Sequence, residues 1–370
     1  MQTRRDWLRS SIGIGGMLLA PHSVLSAQQK EAFNPRSLES IIRLSSNENP
    51  YGPSKRVQER IKDSFVHACR YPYAYSDDLA VILAKKHGVA PESVIVTGGS
   101  TEGLKITGLT FASNGGEIIS GQPTFLAMMD YAKQWGATIN WVPVGADKGY
   151  DLDEIEKRIS SRTKLVFLCN PNNPTGTLVP ADKLVDFCAS ASKKTIVFSD
   201  EAYYDFIENP DYPSMIEAVK RGEDVIVSKT FSKVYGLAGL RVGYLIAKPE
   251  LASKIRKNIV AMSNVLAIEA AKEALEDEAF YQFSLAQNRE AKSRIYTLLD
   301  HLKLNYAPSH TNFVFFHSQK DIRSLGPMML EKGVRIGRPF PPFYDWCRVS
   351  TGTLEEVDVF IKGMLEIYET

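Results

Sequence analysis

Two hydroxyls and an arginine follow one short apolar run of the sequence. The segment reads SKTFSKVYGLAGLRVGY over residues 228–244. The hydroxyls of Thr230 and Ser232 and the guanidinium of Arg241 suit a phosphate dianion, which arginine can bind in a bidentate way. The segment therefore predicts a phosphate site where this run ends.

The same segment contains two lysines, Lys229 and Lys233. A lysine amine can form a Schiff base with an aldehyde. Strand alternation does not separate the two lysines, because both have the same parity, so residue type alone leaves open which one reacts.

Polar residues also follow three other apolar runs. Ser100 and Thr101 come after two glycines at a predicted helix start, where free N–H groups can bind a phosphate. NPNNPTG (170–176) makes a rigid loop, and Asp200 ends a run that is otherwise apolar. Taken singly, these features also fit a tight turn, a plain turn and a helix cap. Together, an aspartate for a pyridinium nitrogen, a phosphate site and a lysine amine predict the cofactor pyridoxal 5′-phosphate.

The elements that must position these residues are short apolar runs alternating with helix-like segments from about residue 79. Predicted strands cover 93–99, 116–121, 138–144, 164–170, 195–200, 224–230 and 242–247. Predicted helices cover 101–112, 124–135, 151–160 and 180–192. Continuous apolar strands are typical of sheets covered on both faces. The pattern predicts an α/β fold with a large, doubly wound, mainly parallel seven-stranded sheet, whose ligands bind beyond the carboxyl ends of the strands.

After about residue 250 the pattern changes to a long helical region (249–302), a few strands and a final helix (354–368), which indicates a smaller α+β domain. We therefore expect four parts. They are a signal peptide at 1–27, an arm at 28–55 that joins the small domain, a large cofactor-binding domain at 56–250 and the small domain at 251–370.

Composition excludes several classes of function. The net charge is +1 and no charge run occurs, so no nucleic-acid partner is expected. The four cysteines are scattered without metal-ligand spacing, which predicts no metal site and favours buried free thiols, although export would permit a disulfide.

The first residues have the three-part plan of an export signal. Arg4 and Arg5 precede a short apolar run, 12–20, and small residues follow near Ala27. The arginine pair resembles a twin-arginine signal, and the apolar run is too short for a stable membrane anchor. We expect a periplasmic or otherwise exported protein.

From about residue 40 to its end, the chain resembles the fold-type I pyridoxal-phosphate aminotransferases (class I/II), and within them the histidinol-phosphate aminotransferase subfamily. The motifs that carry the resemblance are NENPYGPS (47–54), RYP (70–72), TGGSTEG (97–103), QPTF (122–125), NPNNPTG (170–176), DEAYYDF (200–206), KTFSKVYGLAGLRVGY (229–244) and RVSTGT (348–353).

This resemblance separates the two lysines. It implies that Lys233 is the Schiff-base residue and that Arg241, eight residues later, binds the cofactor phosphate. Lys229 matches no role and is interpreted as structural. The other phosphate-binding residues implied are Thr230, Ser232, Ser100 and Thr101, of which Thr101 departs mildly from the family pattern.

The resemblance assigns the remaining cofactor contacts in the same way. Asp200 would pair with the pyridine nitrogen, Asn173 and Tyr203 with the 3′-oxygen, and Phe125 would stack on the ring. Tyr71 would reach the phosphate of a neighbouring subunit's cofactor, which implies a homodimer with shared active sites.

For the substrate, the resemblance implies that Arg348 holds an α-carboxylate. Arg338, Tyr51 and the aromatic segment 338–346 are expected to line a pocket for an aromatic or bulky side chain. Alternatively, the rings of this segment pack at the interface between the two domains. The reaction implied is transfer of an amino group between an amino acid and a 2-oxo acid.

Three alternatives stay open at this point. A lyase of the threonine-phosphate decarboxylase type shares the cofactor residues. Histidinol-phosphate aminotransferase proper is disfavoured by the export signal, because its substrate is an intracellular intermediate. A cofactor-bound scaffold protein without turnover is disfavoured because the whole catalytic set is present.

Overall fold

A central sheet of seven strands organises the chain, which a computed structural model describes over residues 41–369. In chain order the strands are β1 (Ile42–Arg43), β2 (Val94–Thr97), β3 (Glu117–Gln122), β4 (Thr138–Pro143), β5 (Thr163–Cys169), β6 (Ile196–Asp200), β7 (Val225–Thr230), β8 (Gly243–Ala247), β9 (Tyr306–Ala307), β10 (Phe313–His317), β11 (Val334–Arg335) and β12 (Trp346–Ser350). The central sheet has the order β2-β8-β7-β6-β5-β3-β4. Only β8 runs against its neighbours among these strands. The prediction of a mainly parallel seven-stranded sheet is confirmed.

Helices cover both faces of this sheet. They are α1 (Lys55–Asp63), α2 (Tyr73–His87), α3 (Ser100–Ala112), α4 (Ala127–Gln134), α5 (Leu152–Lys157), α6 (Ala181–Ala191), α7 (Ile216–Lys220), α8 (Pro249–Arg256), α9 (Val265–Leu275), α10 (Glu278–His301), α11 (Ile322–Glu331) and α12 (Leu354–Tyr368). Single 3₁₀ turns lie at Ser64–His67, Pro91–Ser93, Tyr204–Phe206 and Ala238–Leu240.

The strand β5 shows why the apolar runs fold as they do. Val166 and Leu168 enter the hydrophobic core on one face of the sheet, whereas Leu165 and Phe167 enter the core on the other face. Each buried side chain of this size contributes about 1.5–3 kcal/mol by leaving water, so a continuous apolar run is stable only between two covering layers.

A second, smaller sheet is antiparallel and has the order β12-β10-β9. The register places Phe315 of β10 opposite Arg348 of β12. The helices α10 and α12 pack together, and α10 also packs against β10. This sheet is therefore the element that positions Arg348.

The predicted signal peptide at 1–27 and most of the predicted arm at 28–55 lie outside the described residues. A single compact unit begins at Arg43. The division into domains at 55/56 and 250/251 stays a prediction. None of the helices within residues 41–369 is long and apolar enough to cross a lipid bilayer.

Candidate active site

The carboxyl ends of three neighbouring strands meet beside one cavity. The register pairs Cys169 at the end of β5 with Asp200 at the end of β6, and Asp200 with Ser228 of β7. The cavity has a volume of about 380 Å³. Its lining includes these residues predicted from the sequence: Ser100, Thr101, Phe125, Asn173, Asp200, Tyr203, Ser232, Lys233, Arg241, Arg338 and Arg348.

The amine of Lys233 lies inside this cavity. Its Nζ donates a hydrogen bond to the backbone carbonyl of Asn47 (2.8 Å) and lies 5.2 Å from the centroid of the Tyr203 ring. Burial and then the positive charge of Arg348 lower the pKa of Lys233 to about 8, against the opposing effect of Glu48. An amine with this pKa exchanges protons readily near neutrality.

Lys229 has different surroundings. Its Nζ forms an ion pair with Glu201 (2.9 Å), whose carboxylate also accepts hydrogen bonds from Ser214 and the backbone N–H of Met215. Lys229 also lies 3.9 Å from the centroid of the Tyr204 ring. It does not line the cavity, and the ion pair gives it a structural role.

Asp200 is a buried carboxyl with one oxygen, Oδ1, that lacks a hydrogen-bond partner in the described part of the chain. Burial raises the pKa of Asp200 to about 7, although the backbone N–H of Ala202 and the Lys233 ammonium favour its ionised form. A buried, unpaired carboxylate oxygen is costly, so this position suits a cationic N–H donor from a ligand.

A candidate anion site lies at the start of α3. Gly99, at φ +82°, precedes this helix and offers no side-chain cap to its first N–H groups. The Arg241 guanidinium occupies the space that a Cβ at Gly99 would need, and it reaches Ser232 Oγ at 3.5 Å. A Cβ at Gly243 would come within 2.7 Å of the Ser100 backbone nitrogen. Free N–H groups, a hydroxyl and a guanidinium thus converge on one anion site.

Arg348 is buried on the opposite side of the cavity. It donates to Asn173 Oδ1 (2.6 Å) and to the carbonyl of Ser45 (2.6 Å), and its centre lies 4.8 Å from the Phe340 ring centroid. Burial lowers the pKa of Arg348 to about 10. Its Nε has no partner in the described part of the chain, which leaves a donor for a carboxylate.

Asn47 joins several of these groups. Its side chain donates to the Tyr203 hydroxyl (3.0 Å) and accepts from Ser350 (2.6 Å), while its carbonyl receives the Lys233 amine. Burial raises the pKa of Tyr203, so its phenol stays protonated and can donate a hydrogen bond.

Three predicted site residues do not line the cavity. The Oγ1 of Thr230 accepts a hydrogen bond from the backbone N–H of Ser232 (3.1 Å), which does line the cavity. Tyr51 lies in a separate recess, with its hydroxyl on Gln287 (3.0 Å). Tyr71 is 82% exposed. Of the aromatic segment, Phe340 lines the cavity together with Arg338.

The comparisons with known proteins agree with this geometry. The family model described as aminotransferase class I and II matches residues 39–364. The chain belongs to the class I and II aminotransferase family. A histidinol-phosphate aminotransferase from Moorella thermoacetica is 38% identical over 343 residues, covering 91% of this chain and 88% of that protein. One from Halalkalibacterium halodurans is 35% identical over 333 residues, covering 89% and 90%.

A solved structure of this aminotransferase family gives the same result. The histidinol-phosphate aminotransferase from Sinorhizobium meliloti, in complex with pyridoxal-5′-phosphate, is similar with a TM-score of 0.84 and 27% identity, covering 92% of this chain and 94% of that one. The protein is a pyridoxal-phosphate-dependent aminotransferase of fold type I.

The residues present fit the cofactor of this aminotransferase. The unpaired Oδ1 of Asp200 suits the protonated pyridine nitrogen, and the anion site between Gly99 and Arg241 suits the phosphate. The amine of Lys233 lies in the same cavity as both. No cluster of His, Cys, Asp or Glu within residues 41–369 could hold a metal ion.

Several aminotransferase residues in the cavity had no role predicted from the sequence. These are Ser46, Asn47, Glu48, Thr124, Cys169, Ala202 and Ala238. Asn47 and Glu48 belong to the NENPYGPS motif, which carried the resemblance, so that motif was the available signal. The four cysteines are free, but Cys69 is exposed, whereas buried thiols were expected.

Proposed function

We propose that this protein is an exported aminotransferase that moves an amino group between an amino acid with an aromatic or bulky side chain and a 2-oxo acid. The observation that carries the proposal is the buried guanidinium of Arg348, which shares one cavity with the amine of Lys233. A buried arginine fork with a free donor is suited to a substrate carboxylate.

Lys233 is the residue that moves the proton. Pyridoxal 5′-phosphate, when bound, supplies the aldehyde that condenses with amines and the ring that withdraws electrons. The Nζ atom of Lys233 accepts the proton that leaves the substrate's Cα. Its lowered pKa, about 8, leaves a useful fraction of the free amine at neutral pH. The Asn47 carbonyl, 2.8 Å from Nζ, orients the amine.

The space for the substrate side chain lies beside Phe340 and Arg338. Arg338 is stacked over the Phe340 ring at 4.5 Å, and Phe340 in turn lies edge-on to Phe315. An aromatic ring with a cation stacked on it supports an aromatic or bulky side chain, and it also suits a side chain that ends in an anionic group.

Histidinol phosphate is a second candidate substrate. Two relatives named histidinol-phosphate aminotransferase are 35% and 38% identical to this chain, and the Arg338 cation suits a phosphate. However, this substrate has no α-carboxylate for Arg348. A decarboxylase of the threonine-phosphate type is the alternative from another reaction class.

Export rests on the sequence of the first 27 residues, with Arg4 and Arg5 before an apolar run. Cell fractionation tests it. The protein should reach the periplasm, and replacing both arginines by lysine should hold it in the cytoplasm. An unchanged distribution would remove the twin-arginine proposal and leave the enzymatic one standing.

The proposed homodimer is supported by exposed apolar side chains in one part of the chain. Phe65, Val66, Tyr71 and Tyr73 are all more than half exposed. A second copy covering them would bring Tyr71 toward the partner's phosphate site. Sedimentation should give twice the mass of the chain, and Tyr71→Phe should weaken cofactor binding only in the dimer.

The proposed activity is tested with a panel of donors against 2-oxoglutarate and pyruvate. The donors are L-phenylalanine, L-tyrosine, L-leucine, L-histidine, L-histidinol phosphate and O-phospho-L-threonine. We expect new amino acid from the acceptor, with the aromatic donors fastest, and no carbon dioxide. Release of carbon dioxide without transamination would refute the proposed reaction, and exclusive use of histidinol phosphate would select the second candidate.

A further inference from the structure

A tight turn between β4 and α5 contains a strained lysine. We call residues 145–149 the Lys148 turn. The backbone N–H groups of Gly145 and Lys148 donate to Gly149 and Gly145 respectively (both 2.9 Å), and Asp147 accepts from Gly149. Lys148 adopts φ +65°, in the left-handed region that favours glycine. A lysine there costs about 1 kcal/mol, and strain of this kind points to a function for the side chain.

The side chain of Lys148 lies on two aromatic rings. Its Nζ is 4.9 Å from the centroid of Phe343 and 4.6 Å from that of Trp346. Within residues 41–369, no carboxylate forms an ion pair with Lys148. The Lys148 ammonium also donates to the Ala146 carbonyl (3.1 Å), within the same turn. Its contacts outside the turn are therefore cation–π contacts with these two rings, and not a surface salt bridge.

These two rings belong to the segment that covers the cavity. We call residues 338–346 the cover loop. It carries Arg338 and Phe340 into the cavity, and the Phe343 backbone N–H donates to the Phe340 carbonyl (2.9 Å). Trp346 is stacked on Phe315. Phe340, which lines the cavity, is thus linked by a backbone hydrogen bond to Phe343, which Lys148 contacts.

The other end of the Lys148 turn is fixed to the floor of the cavity. Tyr150, two residues after the lysine, donates to Asn172 Oδ1 (2.7 Å), bonds with Thr124 (2.9 Å) and accepts from the Cys169 backbone N–H (3.2 Å). Thr124 and Cys169 both line the cavity. The turn therefore spans from the floor at the end of the central sheet to the cover loop.

We propose that Lys148 is a positioning residue that holds the cover loop, and so holds Arg338 and Phe340 over the bound substrate. This inference rests on the proposed function, in which the cover loop faces the substrate side chain. Lys148 touches neither substrate nor cofactor. Its loss should weaken substrate binding while leaving the chemical step at Lys233 intact.

The test compares three variants of Lys148 with a matched control in the cofactor-loaded enzyme. Lys148→Met keeps the length and removes the charge, Lys148→Arg keeps the cation, and Lys148→Gly relieves the left-handed strain and removes the side chain. The control, Lys133→Met, removes a similar lysine–tryptophan contact, 5.8 Å from the Trp141 ring centroid and away from the cavity.

Two measurements are made. Hydrogen exchange of the cover-loop amides should be about threefold faster or more in Lys148→Met and Lys148→Gly, and unchanged in Lys148→Arg and the control. With L-phenylalanine and 2-oxoglutarate, KM for the donor should rise about threefold to tenfold with kcat changed by less than about twofold, as expected for the loss of a partly buried cation–π contact.

Each outcome decides a different question. Unchanged exchange and unchanged KM in Lys148→Gly, which should fold at least as well as the wild type, would overturn the role of Lys148. A fall in kcat without a change in KM would also overturn it. If no donor is transaminated by the wild type, the proposed function fails, and the exchange rates still decide whether Lys148 holds the cover loop.

Discussion

The substitution Asp200→Asn should make the cofactor-free enzyme more stable. The carboxyl of Asp200 is buried and its Oδ1 has no partner among the described residues. Burial raises its pKa to about 7, from 3.8 in an unfolded chain. Asparagine has nearly the same shape and can accept from the Ala202 backbone N–H, but it carries no charge, so the cost of burying the ionised form disappears.

The magnitude follows from the two pKa values. Because the pKa of Asp200 is higher in the folded protein, the carboxyl does not lower the free energy of unfolding below about pH 3.8. The loss of stability then grows as the pH rises to about 7. At about 1.4 kcal/mol for each tenfold change in the protonation equilibrium, the full cost is about 4 kcal/mol above pH 7. Of this, about 2–3 kcal/mol is added between pH 5 and pH 8.

Urea unfolding of the cofactor-free proteins at pH 5 and pH 8 measures this difference. The free energy of unfolding of Asp200→Asn should exceed that of the wild type by about 2 kcal/mol more at pH 8 than at pH 5. Asp186→Asn, at an exposed position of α6, should show no such difference. An equal gain at both pH values, or a loss at pH 8, would falsify the burial argument.

In the cofactor-bound enzyme, the substitution Asp200→Asn should be unfavourable, whereas it is favourable in the cofactor-free protein. The Asp200 carboxylate would hold the protonated pyridine nitrogen, so Asp200→Asn should lower the affinity for pyridoxal 5′-phosphate and the rate of transamination. Fluorescence titration with the cofactor, made on the same two proteins, separates this effect from the stability of the fold. A variant that binds the cofactor as tightly as the wild type would contradict the role of Asp200.

Three further predictions concern the cavity. Borohydride should fix the cofactor on Lys233, and peptide mapping that finds the label on Lys229 would overturn the assignment. Lys233→Ala should lower kcat by about 10²–10⁴-fold. Arg348→Gln should lower kcat/KM for an α-amino acid by about 10- to 100-fold, mostly through KM, since a charged hydrogen bond is worth about 1.5–3 kcal/mol; an unchanged KM would place the carboxylate elsewhere. Gly99→Ala should weaken cofactor binding about tenfold or more, because φ there is +82° and the Arg241 guanidinium fills the space; equal affinity in a titration would refute the anion site.

Much of the fold could be predicted from the sequence, because the central strands are buried on both faces and read as continuous apolar runs. The antiparallel direction of β8 could not be predicted, because the direction of a strand does not change its amino-acid composition. The helix α1 was not predicted, because among its residues only Val57 is buried. The predicted helical region 249–302 is three helices, and the side chains of Asn264 and Asp277 cap the second and third.

The site was predictable where its residues follow strands. The ends of β6 and β7 placed Asp200 and Lys233, because parallel strands bring their carboxyl ends to one edge. Asn47 and Lys148 had no role predicted from the sequence. Their partners, Lys233 and Trp346, lie almost 200 residues away along the chain, and such pairing is decided by packing, not by local pattern.

The segment from Leu44 to Asn47 sets a limit on how far the amino terminus can be trimmed. Its backbone carbonyls accept hydrogen bonds from Ser350, Arg348 and Lys233. A cut before Leu44 leaves the amine and the guanidinium with these acceptors, whereas a cut past Asn47 removes the Lys233 acceptor and one of the two Arg348 acceptors. If the proposed signal is cleaved, activity would report on the accuracy of that cleavage, because a chain cut past Asn47 would keep its cofactor-binding sheet and lose the carbonyl that orients Lys233.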